Sequence, residues 1–245
     1  METFPIQAPA FNGNSRAVPA SNAFEWLKQG WALFIVNPGL WIALTIVLLV
    51  ILLGLNIVPM IGTLAANLLM PVLSAGMLLA CQKVSNGEEL EIADLFAGFK
   101  QNTGDMIMLG VLYMVAMLII VVVVIVLGGS SMAGGVLMGR PAGVGLAFGG
   151  MLLAMLLWLV LSVPLFMAIW FAPALVFFNR MAPVDALKAS FNACLKNFLS
   201  LLVYGLIVMV LMFFAALPAF LGFLVLIPVL FGSVYVSYRD IFVAN

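Results

Sequence analysis

Six long apolar runs constrain the fold of this chain more than any other feature. The hydrocarbon core of a bilayer, about 30 Å thick, is crossed by roughly 17–25 apolar residues of α-helix. The chain supplies such runs at Leu40–Ile57, Met60–Leu79, Met106–Leu127, within Leu146–Phe178, at Phe198–Leu217 and at Ala219–Val236. With no water in the core to satisfy backbone N–H and C=O groups, each run must close its hydrogen bonds within itself. The expected fold class is therefore all-α, a polytopic integral membrane protein with six transmembrane helices. Little more than Asn56 to Pro59 joins the first two runs, and a turn around Pro218 joins the last two, so each pair is an antiparallel hairpin. The fourth run would reach roughly 50 Å at about 1.5 Å per residue. It is expected to begin as a helix near Gly150, to kink at Pro164 or Pro173, and to protrude beside Asn179.

Composition narrows the function classes. Of 245 residues, 66% are hydrophobic and 7% charged, against about 25% charged in a soluble domain. Nine basic and nine acidic residues cancel, which leaves no excess cation to hold nucleic acid by counterion release. There is no histidine, and the two cysteines, Cys81 and Cys194, stand apart. Neither histidine acid–base chemistry nor a Cys/His metal site can be assembled, so no metal, no cofactor and no catalytic residues are expected. Residues 1–21 read as a disordered polar tail, because they are rich in Pro, Asn, Ser and Ala and carry the single basic residue Arg16. They lack the basic start and apolar run of a cleaved signal, and the first span is expected to be retained.

Orientation follows from Lys and Arg, which gather in cytoplasmic loops. Eight of the nine basic residues (Arg16, Lys28, Lys83, Lys100, Arg180, Lys188, Lys196 and Arg239) fall on the side shared by both termini, and only Arg140 falls on the other. Both termini are thus expected in the cytoplasm of a bacterial inner membrane, with the Gly-rich segment 128–150 outside as a flexible loop. The acidic loop with Glu88, Glu89, Glu91 and Asp94 reads as a solvated cap.

The segments before spans one, three and five repeat one pattern. Phe24, Leu27 and Trp31 match Ile92, Leu95 and Phe99, and both match Val184, Leu187 and Phe191. Each triple, spaced i, i+3, i+7, makes one apolar stripe on a helix. Gly30 aligns with Gly98 and Ser190, and Glu25 and Lys28 align with Asp185 and Lys188. Asn22 with Glu25 resembles a capping box, and Pro183 suits a first helical turn. The resulting unit is one interfacial amphipathic helix plus two spans, repeated over about 22–83, 88–180 and 183–240 in a single membrane domain, 22–245. Trp26, Trp31, Trp41, Phe99 and Phe191 are expected at the membrane interface, although the same stripe would also serve a helix packed on its neighbours. The second span of every unit holds an interior proline (Pro71, Pro164 with Pro173, Pro228), and these helices are expected to face protein and line a common centre.

The run from Phe24 to Phe34, Phe-Glu-Trp-Leu-Lys-Gln-Gly-Trp-Ala-Leu-Phe, closing on Asn37-Pro38, resembles the opening of a family of uncharacterised proteobacterial inner-membrane proteins. More distantly, the repeated Leu-x-x-(Gly/Ser)-(Trp/Phe) pattern is similar to the membrane domain attached to some bacterial glycerophosphodiester phosphodiesterases. The resemblance spans residues 24 to about 240 and implies a six-helix membrane bundle of unknown activity.

No ionisable group lies at mid-depth in a span. Asp105, at the edge of span three, is expected to end a helix near water. Asn67, four residues before Pro71, is the one amide well inside a span: it either bonds a carbonyl freed by Pro71 or a neighbouring helix, or lines a polar cavity. Tyr204 is a second candidate binding residue, with Tyr113, Ser162 and Tyr235 as weaker ones. Small pairs such as Gly62/Ala66, Gly145/Gly149, Gly150/Ala154 and Ala215/Ala219 permit close helix crossings. The reading is a non-enzymatic scaffold in envelope maintenance, with membrane lipids, another membrane protein or a second copy as partners. The alternative is a small transporter or channel for an apolar or zwitterionic solute; a water-accessible cavity near Asn67 would favour it, and a filled centre the scaffold.

Overall fold

The computed structural model describes residues 13–59, 61–130, 133, 134, 137 and 141–243. Met60, the expected start of the second span, and Arg140 lie outside them. The elements are α1 (Asn22–Val36), α2 (Pro38–Asn56), α3 (Ile61–Ser85), a 3-10 helix (Ile92–Phe99), α4 (Thr103–Val124), a π turn (Ile125–Gly129), α5 (Pro141–Trp170), α6 (Ala172–Asn179), α7 (Pro183–Lys196), α8 (Phe198–Ala216), α9 (Phe223–Tyr238) and a second π turn (Arg239–Val243). Among the described residues there is no strand, and six stretches are long and apolar enough to cross a membrane: α2, α3, α4 with its π turn, Gly143–Asn179, α8 and Phe223–Val243. The fold is all-α and polytopic.

The spans differ in depth of burial. Half of the best apolar window of α3 and of α9 is enclosed by protein, against none of that in the Gly143–Asn179 stretch. Residues 172–177 at the end of that stretch are nevertheless all buried, so the fourth span runs along the periphery and turns into the core at its last two turns. The large buried side chains, among them Trp26, Trp41, Leu73, Met77, Leu95, Phe171 and Leu175, gather toward the end of the bundle where the N-terminal segment meets the C-terminal π turn.

Three short helices build that end, and each lies on the second span of another unit. The main neighbour of α1 is α9, that of the 3-10 helix is α3, and that of α7 is α5 with α6. The contacts close a ring, and at two of them a glycine sits at the crossing. Gly30 sits so close to α9 that an added Cβ would come within 2.5 Å of the Val229 carbonyl and 2.7 Å of the Ser233 nitrogen. Gly98 abuts α3, where a Cβ would lie 2.9 Å from Val72 Cγ1 and nearer still to the Val72 carbonyl. At the third contact the aligned residue is Ser190, whose hydroxyl enters the helix backbone: it donates to the Met167 carbonyl at 2.8 Å and accepts the Phe171 N–H at 3.0 Å.

That hydroxyl occupies the place of the Phe171-to-Met167 helical hydrogen bond, and here α5 ends and α6 begins. A side chain inserted into the i→i−4 ladder is a recognised cause of a sharp bend. The kink therefore falls at Phe171, two residues before Pro173, whereas α5 is continuous through Pro164. Pro71, Pro173 and Pro228 are buried as expected of helices facing protein, but Pro164 is exposed and lines no centre. Ser190→Ala should leave two backbone groups without this partner and cost about 1–3 kcal/mol, read as a lowered midpoint of thermal unfolding in detergent. An unchanged midpoint would mean that the two groups pair with one another once the hydroxyl is gone.

Several expectations need correction. Residues 13–20 are stitched down rather than forming part of a disordered tail. Arg16 donates its N–H to the Ile241 carbonyl at 2.9 Å, Val18 donates to Asn197 Oδ1 at 2.8 Å, and Ser200 Oγ donates to the Val18 carbonyl at 3.0 Å. Asn22 does not cap α1; its amide donates to Asp240 Oδ2 at 2.8 Å. The fourth span is helical from Pro141, not from near Gly150, because 141–150 is regular helix despite its glycines. Gly128 is used for a close crossing, a Cβ there falling 2.5 Å from Ala154 Cβ, whereas Gly145 and Gly149 have no neighbour within 4 Å of that position. The sixth span starts at Phe223, after a turn in which Ala219 and Phe220 adopt positive φ. Asp94 is no part of a solvated cap: it is buried and pairs with Lys83 Nζ at 2.8 Å, while Glu88, Glu89 and Glu91 are exposed.

Candidate functional site

The residues singled out for the membrane interface divide. Trp31 is 49% exposed, Phe99 is also exposed, and Phe191 is half-buried. Trp26 is not an interface residue: it is 1% exposed, its indole N–H donates to Asp240 Oδ2 at 2.8 Å, and its ring packs edge-on against Tyr204. Trp41 is likewise buried and donates to the Leu33 carbonyl at 3.0 Å. The apolar stripe of each copy runs along the border of the buried face, so its middle leucines turn inward while Phe24, Trp31, Ile92, Phe99 and Val184 stay exposed.

Asn67 bridges to no other helix. Its amide donates to the Thr63 carbonyl at 2.9 Å, one turn earlier in α3. The carbonyl that Pro71 frees belongs to Asn67 itself and faces Gly110 of α4, where a Cβ would sit 3.2 Å away. Tyr204 is buried, shares a hydrogen bond of 2.6 Å with Ser233 Oγ, and meets Trp26 and Trp170 edge-on. Asp105 is exposed in the first turn of α4. Among the described residues no group of three His, Cys, Asp or Glu side chains could hold a metal. Burial pushes the Cys194 thiol up to about 12, against a smaller lowering by its contact with Ser190, so it stays protonated and unreactive.

Among the described residues three hollows stand out. One of about 600 Å³ lies between α5, α8 and α9, walled by Phe166, Met167, Trp170, Leu201, Tyr204 and Met209 among others. A second of about 340 Å³ lies where the second spans of the three units approach one another, with Met70 and Ser74 of α3, Trp170 and Pro173, and Ile227 and Phe231 of α9 in its wall. Asn67 lines neither. The third, of about 630 Å³, mixes polar with apolar lining and opens at the end of the bundle between α1, α3 and the second π turn. It holds Arg239 and Asp240, which the sequence offered only as one more basic charge and one more acid.

Around Asp240 the end of the bundle is tied together. The carboxylate accepts from Arg16, Asn22 and Trp26. Lys83 with Asp94 is the corresponding pair on α3 and the 3-10 helix, eleven residues beyond Val72 just as Asp240 is eleven beyond Val229. The one sequence signal that could have drawn attention to Asp240 is its place as the first acid after the last span.

Six apolar spans around a single core define an integral membrane protein. The chain belongs to the family of a Burkholderia thailandensis protein named "Probable inner membrane protein", to which it is 30% identical over 230 residues, covering 89% of this chain and 82% of that one. No family model matches the chain, and no solved structure matches it. The distant likeness to the membrane domain of glycerophosphodiester phosphodiesterases finds no counterpart in these comparisons.

Proposed function

We propose that this protein is a non-enzymatic, lipid-binding scaffold of the inner membrane that serves envelope maintenance, with both termini in the cytoplasm. The observation that carries the reading is the character of its hollows within the spans. Both have almost wholly apolar walls, and the amide that would have marked a hydrated path, Asn67, is satisfied within its own helix. Such grooves suit acyl chains, because an apolar site holds ligand by excluding water and needs few polar contacts. The closed ring of short helices supports a rigid platform at one face of the bilayer. The exposed Phe24, Trp31, Ile92 and Phe99 beside them are placed to enter the acyl boundary, as amphipathic helices do.

Two measurements test the reading. Reporter fusions after Asn245 and within 128–145 are expected to report opposite sides of the membrane, with the C-terminus inside, on the eight-to-one basic asymmetry; the same side for both would break the six-span count. Purified protein is expected to retain phospholipid through detergent exchange and to pass no small zwitterionic solute in proteoliposomes. Solute flux above that of empty vesicles would replace the scaffold with a transporter.

A further inference from the structure

The hollow at the end of the bundle combines features not found in the two apolar ones. Its wall takes Glu25, Trp26, Gln29 and Leu33 from α1, Val84 and Ser85 from α3, and Tyr235, Arg239 and Asp240 from the end of the chain. Its volume, about 630 Å³, falls within the range of about 300–1,000 Å³ typical of small-ligand sites. Arg239 is the first charged residue beyond the apolar stretch of α9, which sets it where a helix leaves the acyl region and meets the headgroups.

The charges in this hollow are unevenly occupied. Asp240 already receives Arg16, Asn22 and Trp26. Among the described residues, Arg239 Nη1 donates to Ser85 Oγ at 3.0 Å, and the guanidinium lies beside Tyr235, 5.9 Å from the centre of its ring. Among the described residues no carboxylate comes within ion-pair distance of its guanidinium. A guanidinium with no carboxylate on it among the described residues, held by a neighbouring hydroxyl and ring, is suited to a phosphate, whose oxygens match its fork. Across the hollow, Glu25 accepts the Gln29 amide at 2.9 Å on one oxygen and has the solvent-exposed Lys28 at 3.8 Å from the other, an ion pair that contributes little.

We propose that this hollow binds the headgroup of a phosphatidylethanolamine, with the phosphate on Arg239 and the ammonium toward Glu25. The inference deepens the lipid-binding reading above and rests on it. One cation and one carboxylate with no close ion pair complement a zwitterion; an anionic headgroup such as phosphatidylglycerol would gain Arg239 but bring only neutral hydroxyls, and no cation, to Glu25. Leu33, Val84 and Val236 give the hollow apolar wall beside these charges.

The test is native mass spectrometry of the full-length protein, titrated with phosphatidylethanolamine or phosphatidylglycerol in detergent, with soluble phosphoethanolamine as a third arm. The wild type is expected to retain phosphatidylethanolamine over phosphatidylglycerol. R239Q should lower that retention by about tenfold or more, the loss expected when a hydrogen bond to a charged group is removed, and R239K should recover part of it. E25Q, on the exposed face of α1, should keep the fold and shift the preference toward phosphatidylglycerol. Competition by phosphoethanolamine supports the paired phosphate and ammonium contacts; binding of phosphoethanolamine without lipid retention would overturn the membrane source. Equal retention of the two lipids by the wild type, or undiminished retention by a folded R239Q, would overturn the proposal. If R239Q loses only the headgroup preference while still carrying phospholipid, the lipid-binding scaffold stands; if the wild type carries none, both fall.

Discussion

Gly30→Ala is expected to destabilise the bundle by about 1–3 kcal/mol or more, the cost of forcing an extra methyl group into a packed contact. An added Cβ would lie 2.5 Å from the Val229 carbonyl and 2.7 Å from the Ser233 nitrogen. Both are backbone atoms of α9, so no side chain can rotate away, and α1 as a whole must lift. Gly98→Ala should act alike at the contact between the 3-10 helix and α3. The control is a glycine with open space around it. Gly149, mid-helix in α5 with nothing within 4 Å, should tolerate alanine and gain about 0.5–1 kcal/mol from the lower backbone entropy of the unfolded chain. Thermal unfolding in one detergent, compared across the three variants, separates the two signs. A Gly30→Ala protein that melts with the wild type would show that α1 is not held against α9.

Replacing Trp26 by alanine is expected to cost about 3–5 kcal/mol, the range for truncating a large buried aromatic, and the same change at Trp31 much less. The two residues lie on one helix and are both tryptophan, so composition and propensity cannot tell them apart. Trp26 is enclosed, donates to Asp240 Oδ2 at 2.8 Å and packs on Tyr204; Trp31 is 49% exposed and touches Phe34 at a ring separation of 5.4 Å. Trp26→Phe, which keeps most of the apolar bulk but removes the donor, should fall between them and isolate the Asp240 hydrogen bond. Near-ultraviolet circular dichroism with a thermal ramp reports the result. Equal midpoints for the Trp26 and Trp31 alanine variants would place the wrong face of α1 against the bundle.

What could be read in the sequence follows from what each signal measures. Span number and hairpin pairing were legible because they depend on length and hydropathy alone: the runs beginning at Leu40 and Phe198 agree with α2 and α8 to within a couple of residues. The periodic stripes gave the short helices but misplaced their buried face. Phe24, Leu27 and Trp31 make an apolar stripe at helical spacing, yet the buried residues of α1 are Ala23, Trp26, Leu27, Gly30 and Phe34. In a membrane protein the exposed face is apolar as well, so hydrophobicity no longer distinguishes inside from outside, and small residues that allow close approach become the better signal. The alignment of Gly30, Gly98 and Ser190 was visible; that all three sit at helix crossings was not. Asn67 drew attention as the amide within a span, but a side chain that reaches its own preceding turn has no need of a cavity. Arg239 and Asp240 passed as ordinary charges beside a span end, since nothing in their local sequence reveals which helices converge on them.

By itself the sequence determined that the chain is all-helical, that it has six spans, and that one side carries the basic residues. These properties belong to each segment separately and arise from the exclusion of water by the bilayer core, which leaves a long apolar run no other structure to adopt. Only the tertiary structure decided how the segments close on one another. It set the ring in which each short helix rests on the second span of another unit, the break at Phe171 where the Ser190 hydroxyl enters the backbone, the burial of Trp26 instead of its exposure, and the hollow that gathers Glu25 and Arg239. Each of these depends on residues brought together from distant parts of the chain by packing, and packing is a property of shape across two surfaces that no single stretch of sequence carries.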